Sequence, residues 1–520
     1  MRLVDWQDGI RHATGTVGYL FFAFSALVLV TIVGRCVYLG FFHPLARYPG
    51  PFLAKFTTLY SAYHAWKGDI HKDIYECHKI YGKYHVRYAP NRLIFNTEPA
   101  LRDIYGHRGK VIKFSNYHVL SKQAANLLTL QDKYLHGRRR RVISQAFSES
   151  SLRMLEPKIQ SKLDQFCHVL HAQGGPDGAW TAPLDMSHAF NNLAFDIMTS
   201  VSFDIDFDTI ANPEYRYAME AIEHSNVRLG VLLQEPGLSF GDLDRKLFPQ
   251  AILGRRRFVQ FIRLLMSKRL GGRKSASKDI FAFLQDCKDP LTGKELSTAE
   301  LSTETATFIV AGADTSSTSM AALAHYLTGS SRCYKRAAEE VRSTFSSAEE
   351  ITLGAKLNSC AYLRACVDES LRLSPPGGAA LWREVEEGGA TIDGHFIPHK
   401  CEVAVGIYCI HHSEAYYAQP FRFDPMRWYR PKGVEAVQQD AAKNPYMPFS
   451  VGPRSCVGKP LAIANIMLVF ARLLLDFDLK RAGHREDWAE QDLEASEYSL
   501  KDHLTAWKDG PTVCLRPRKI

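Results

Sequence analysis

Near the C-terminus, Phe449, Gly452, Arg454, Cys456 and Gly458 fall within ten residues, and a helical run begins at Pro460. A cysteine placed just before a helix meets partly positive backbone amides, which favour thiolate over thiol. Such a thiolate can be the axial ligand of haem iron, and electron donation from sulfur favours O–O cleavage. Gly452 and Gly458 would free the backbone for conformations barred to other residues and let a flat ligand approach closely. Arg454, two residues before the cysteine, can pair with an anionic propionate. A single buried cysteine is usually structural, but this spacing of aromatic, glycines, arginine and cysteine argues for ligation.

Three further groups could serve the same chemistry. Ala311-Gly312-Ala313-Asp314-Thr315 lies inside a long helical stretch. The small Ala311 and Gly312 would admit a planar cofactor and a diatomic ligand near the backbone. Thr315 can donate a hydroxyl hydrogen bond, and Asp314 can link it to solvent. Glu369 and Arg372 stand three apart, on one side of a helix. His136 and Arg140 stand four apart within a run that holds Arg138, Arg139, Arg140 and Arg141. Four successive arginines on a helix spread over all its faces, so solvated faces are expected and a nucleic-acid patch is not.

The elements that must position these groups are mainly helical. Apolar residues recur three and four apart over 69–81, 132–147, 151–171, 189–202, 255–270, 295–328, 333–345, 361–373 and 457–475. Short strand-like runs lie at 84–88, 92–96, 390–393, 403–407 and 512–516. The charged, unpatterned stretch 271–294 reads as a surface loop. The 520 residues are 46% hydrophobic and 23% charged, which excludes disordered, collagen-like and multi-span membrane proteins. A net charge of +9 is too small to imply nucleic acid, yet allows one basic face for an acidic partner. Eleven scattered cysteines without a C-x-x-C pair fit a reducing compartment.

Residues 16–34 carry no charge, and as a helix they span about 28 Å, close to the hydrocarbon thickness of a bilayer. Arg35, Arg47 and Lys55 follow, which places the body on the cytosolic side. The organisation expected is a short tail (1–15), a transmembrane anchor (16–34), a Pro/Gly-rich linker (35–51) and one catalytic body (52–520).

The cysteine segment matches F-x-x-G-x-R-x-C-x-G, and with it the chain resembles the cytochromes P450, the haem-thiolate monooxygenases. The resemblance implies a mainly helical fold with minor sheets, haem b as cofactor, and O2 as co-substrate. It also implies NADPH electrons delivered by a cytochrome P450 reductase, with cytochrome b5 as a second candidate donor. Glu369 and Arg372 resemble the family's E-x-x-R, with Arg427 completing a structural triad. His136 and Arg140 resemble the helix that crosses the haem edge, and Arg383 the strand arginine that contacts a propionate. Arg138, Arg139 and Arg141 then become candidates for the donor-docking face, and Asp314-Thr315 for proton delivery. The pocket is expected from 105–125, 205–245, the helix near Phe308, Gly377–Leu381 and 499–505.

The wording around the motifs resembles fungal members that act on lipophilic secondary metabolites, in the endoplasmic reticulum membrane. Two other functions stay open at this point. One is an isomerase or dehydratase on the same fold that needs neither O2 nor NADPH, and the other a membrane haem protein without catalysis.

Overall fold

A computed structural model describes residues 2–519 except 122–123, 175–177, 272–278, 287, 289–292, 294, 430–444, 486 and 489–493. A continuous helix, Arg2–Val37, opens the chain and widens into a π turn over Tyr38–Phe42. The helical backbone therefore runs past the expected anchor end at Gly34 and takes up the first part of the expected linker. Nothing in 35–42 breaks a helix. His43 does, with φ −68° and ψ 142°, because Pro44 disfavours helical geometry in the residue before it. The apolar stretch able to cross a membrane is Tyr19–Phe42. After it, Pro49-Gly50-Pro51 packs against the first strand: the Arg87 amide donates to the Pro49 carbonyl at 2.7 Å. A Cβ on Gly50 would fall 2.1 Å from the Arg87 carbonyl oxygen, so only glycine fits there.

The body is helical with small sheets, as the periodicity predicts. The long helix Thr298–Gly329 starts at a capping box in which Ser297 and Glu300 satisfy each other's backbone amides. Its second half is buried almost all round, packed on Met186–Phe203, Ala361–Leu373 and Lys459–Asp476. A five-stranded sheet runs in the order His85–Ala89, Arg92–Phe95, Glu402–Val405, Arg383–Val385 and Val111–Lys113. A C-terminal hairpin, Leu500–His503 with Thr505–Lys508, reaches back to the long helix.

Among the described residues, three helices of eight or more residues lie in the body where no periodicity marks them: Leu59–Lys67, Glu98–Tyr105 and Tyr217–Gln234. In Tyr217–Gln234, Arg228 and Gln234 are buried among apolar residues, so the polar face that would reveal a helical period is blurred. The expected surface loop 271–294 lies largely outside the described residues. Within it Ile280–Asp286 is helical, with Ile280, Phe281 and Leu284 buried.

Candidate haem-thiolate site

The cysteine loop is shaped by two residues with positive φ, Ser450 at 56° and Gly452 at 70°. A Cβ on Gly452 would sit 2.0 Å from the Tyr105 carbonyl oxygen, so the loop can press onto helix Glu98–Tyr105 only with glycine. The Cys456 amide donates to the Phe449 carbonyl at 2.8 Å and closes the loop. Phe449 packs on the core beneath the Lys459 ammonium. Helix Lys459–Asp476 follows, with Pro460 in its first turn, where no amide is missed. Gly458 has φ −83°, so its expected conformational freedom is not what this position uses. A Cβ there would lie 3.9 Å from the Cys456 sulfur, an ordinary contact.

Cys456 is exposed, yet the protein crowded around it pushes its thiol above the usual range, while the Gly458 and Lys459 amides and the Arg140 and Lys459 charges pull it down. The net direction keeps the thiol protonated, and the positive charge of a bound metal would be what removes its proton.

Beside the loop, cations gather. Lys113 and Arg383 face each other as cross-strand partners, an arrangement that like charges make unfavourable. Arg383 stacks over the Tyr105 ring at 5.0 Å. Arg454 donates to the Leu130 and Gln131 carbonyls at 2.5 Å each, and Lys113 to the Leu128 carbonyl. Burial, together with Arg383 and Arg454, drives the Lys113 ammonium well below its usual range. Arg454 is lowered to about 10 by burial and by Arg383. His136 is pushed down to about 3, by burial first and then by Arg454, Lys113, Arg140 and Arg383, so it is neutral.

Among the described residues no carboxylate pairs with Lys113, Arg140, Arg383 or Arg454. Buried charges are ordinarily paired. A site with four converging cations, none of them ion-paired to a carboxylate among the described residues and with Asp132 acting on Arg454 only at longer range, fits a ligand that brings two carboxylates. The adjoining thiol fits a ligand that also brings a metal. Haem b has both, and the residues present fit it.

Several expected positions receive different partners. Arg140, expected with His136 at the propionates, spends its terminal nitrogens on Ser455, with Nη2 to Oγ at 3.1 Å and Nη1 to the carbonyl oxygen. It braces the cysteine loop. Arg139, expected on the docking face, is bound to Glu300, lies 3.4 Å from Glu304, and donates to Ala125 at 2.6 Å. It turns inward because successive residues point about 100° apart around a helix. Arg141 is exposed, and Arg138 lies 5.4 Å over the Tyr134 ring. Lys113 is the cation that sequence reasoning missed. Its signal was a lone charge inside the strand-like Val111-Ile112-Lys113-Phe114.

On the long helix Ala311 is exposed and Thr315 half-buried, its hydroxyl donating to the Ala311 carbonyl at 2.5 Å. Phe308 of this helix meets Phe147 at 5.9 Å between ring centroids, and Phe147 lies against Gly458 of the cysteine loop. Gly312 differs from its expected use. A Cβ there would fall 2.5 Å from the Met198 sulfur, so the close packing of the long helix on Met186–Phe203 requires glycine here.

Asp314 differs too. Its carboxylate is buried and accepts from Lys508 Nζ at 3.2 Å, Asn226 Nδ2 at 3.3 Å and the Thr505 hydroxyl. It ties the long helix to Tyr217–Gln234 and the C-terminal hairpin, and none of its carboxylate's hydrogen bonds among the described residues goes to Thr315.

The Glu369–Arg372–Arg427 triad is assembled. Glu369 accepts from Arg372 at 2.9 Å, from Arg427 at 3.2 Å and from the Trp428 indole at 2.8 Å. Arg372 also donates to the His411 and Pro420 carbonyls at 2.8 Å each. Every polar atom of this buried pair is used, and losing one partner from such a pair costs about 3–5 kcal/mol. His411 is spent here as well, its Nε2 accepting from the Met447 amide.

Known proteins resemble the chain over most of its length. The family model "Cytochrome P450" matches residues 48–501. The chain is 45% identical to the cytochrome P450 monooxygenase poxM of Penicillium oxalicum, over 93% of this chain and 92% of that protein. It is 42% identical to the cytochrome P450 monooxygenase atnE of Emericella nidulans, over 97% and 99% of the two chains. A shorter relative, cytochrome P450 monooxygenase lcsN of Purpureocillium lilacinum, is 69% identical over 64% of this chain and 99% of its own. Among solved structures, the haem domain of cytochrome P450DA superposes with a TM-score of 0.65 at 17% identity, over 82% and 88% of the two chains.

Proposed function

The chain belongs to the cytochrome P450 family, the haem-thiolate monooxygenases, and from that premise we propose that it oxidises a lipophilic small molecule of fungal secondary metabolism, a terpenoid, polyketide or alkaloid. The observation that carries the reading is the thiol of Cys456, held under backbone amides beside four cations that pair with no carboxylate among the described residues. Bound haem supplies the activation of O2, from which one oxygen atom enters the substrate and the other leaves as water. Cys456 would ligate the haem iron through its sulfur. Lys113, Arg383 and Arg454, with neutral His136 among them, would hold the propionates. Arg140 would brace the ligand loop through Ser455, and Thr315 would hold a proton at its Oγ1 on the half-buried side of the long helix. Arg138 and Arg141 would receive the electron donor, an NADPH-dependent reductase or cytochrome b5.

Purified protein with reductase, NADPH and labelled O2 is expected to convert a metabolite from a host lacking this gene. Mass spectrometry should find one labelled oxygen in the product. Turnover that continues without NADPH and reductase would instead favour an isomerase or dehydratase.

For location, the reading is a single-pass protein of the endoplasmic reticulum with its body in the cytosol. Exposed apolar side chains at the end of the apolar stretch and after it support membrane contact. Phe41, Phe42, Phe52, Leu53 and Trp66 are exposed, and Phe240 is 88% exposed on a segment joined to them through the Thr58–Glu235 hydrogen bond. Removing residues 1–34 should therefore release only part of the protein from microsomes, with the rest extracted by detergent. Full-length protein in the soluble fraction would reject the anchor.

A further inference from the structure

Loop 124–131 has an unusual share of the site's attachments. Its Leu128, Leu130 and Gln131 carbonyls receive Lys113 and Arg454, two of the four converging cations. Its other side is fastened to the long helix. Asn126 Nδ2 donates to the Thr307 hydroxyl at 2.7 Å, and the Leu127 amide donates to Glu304 Oε1 at 2.8 Å. Glu304 is wholly buried, and its second oxygen, Oε2, has no hydrogen-bond partner among the described residues. A buried carboxylate with one oxygen unsatisfied is costly, and its cost depends on whether it carries a proton.

We propose that Glu304 is a positioning residue that pins loop 124–131 to the long helix, and through that loop sets the cations that hold the cofactor's carboxylates, with a grip that depends on its proton. The inference rests on the haem reading above only for the identity of the group those cations hold.

The surroundings define the direction of the effect. The charged groups acting on Glu304 are Arg139 from helix Lys133–Ile143, at 3.4 Å, and Glu300 one turn earlier on its own helix. Residues 124–131 contribute no charged side chain. Arg139 is shared, since it also binds Glu300. Burial outweighs Arg139 and the Leu127 amide, and raises the Glu304 carboxyl from 4.5 to about 7. A carboxyl exposed by loop opening would return to its ordinary range. The closed loop therefore binds the proton more tightly than the open one. Opening becomes easier as pH rises from about 4.5 through about 7 and levels off above that.

Hydrogen exchange of the holoenzyme, read by mass spectrometry on the peptide covering 124–131 and corrected for intrinsic rates, tests this. In the wild type, protection should fall as pH rises from about 5.5 to 7.5, by up to roughly tenfold per unit. Glu304→Gln keeps an oxygen for the Leu127 amide but cannot titrate, so its protection should not change with pH. Glu304→Ala removes the acceptor, and protection should drop at every pH while haem transfer to apomyoglobin accelerates. Equal pH slopes in the wild type and Glu304→Gln would overturn the proposal, and that comparison stands even where Glu304→Ala does not fold. Failure of the haem-thiolate reading would appear separately, as a wild-type reduced carbon monoxide complex without the thiolate band.

Discussion

Cys456→Ser should abolish both the thiolate-type carbon monoxide spectrum of the reduced protein and all monooxygenase turnover. Serine differs by one atom, so the loop has no steric reason to change: the Cys456 amide still reaches Phe449, and Arg140 still reaches Ser455. What changes is the donor. A serine hydroxyl has an intrinsic pKa far above that of a thiol, and two amides with two nearby cations cannot bring it into the physiological range. The strongly red-shifted Soret band of the reduced complex reports sulfur ligation. The cations Lys113, Arg383 and Arg454 do not depend on the sulfur, so some haem should remain bound in the mutant. Retention of the red-shifted band in Cys456→Ser would remove the basis for the whole site. Loss of the band with full retention of turnover would separate the ligand from the chemistry and be equally damaging.

How much of this was legible in the sequence depends on how local each feature is. The cysteine loop is written in ten consecutive residues, and a positive φ at Gly452 is what its glycine already suggests. Glu369 and Arg372 sit one turn apart, so their shared face follows from helical spacing alone. The arginine helix was half legible. Spacing says that Arg138 to Arg141 must diverge, but not which way. Arg139 finds Glu304 across 165 residues of chain, and Arg140 finds Ser455 across 315. Asp314 is the clearest failure of local reasoning. Its neighbour Thr315 suggests a shared task, while the fold gives Asp314 to Lys508, 194 residues away on the terminal hairpin. Gly312 misleads for a similar reason, because a small residue reads as room for a ligand until Met198 is found filling that space. Lys113 escaped because a charge in a three-residue strand has no period to mark it, and its partner Arg383 pairs only through the sheet.

Thr315→Ala should uncouple the enzyme while leaving it folded and loaded with haem. The hydroxyl donates to the Ala311 carbonyl at 2.5 Å, so its own oxygen keeps free lone pairs on the half-exposed side of the helix. A hydroxyl in that position can accept a proton from water and turn to pass one on. A positioned proton donor of this kind typically contributes about 10²- to 10⁴-fold. Asp314 is occupied by Lys508, Asn226 and Thr505, so it offers no ready substitute for the missing hydroxyl. Alanine is a better helix former than threonine and removes volume without crowding, so folding should not suffer. NADPH consumption should continue in the mutant, with hydrogen peroxide or water appearing in place of most of the oxidised product. Thr315→Ser, which restores the hydroxyl, should recover most of the coupling. The measurement is product and hydrogen peroxide per NADPH in the three proteins, with reductase in excess. Unchanged coupling in Thr315→Ala would mean that the hydroxyl only satisfies the Ala311 carbonyl, and that protons arrive through water or substrate without it.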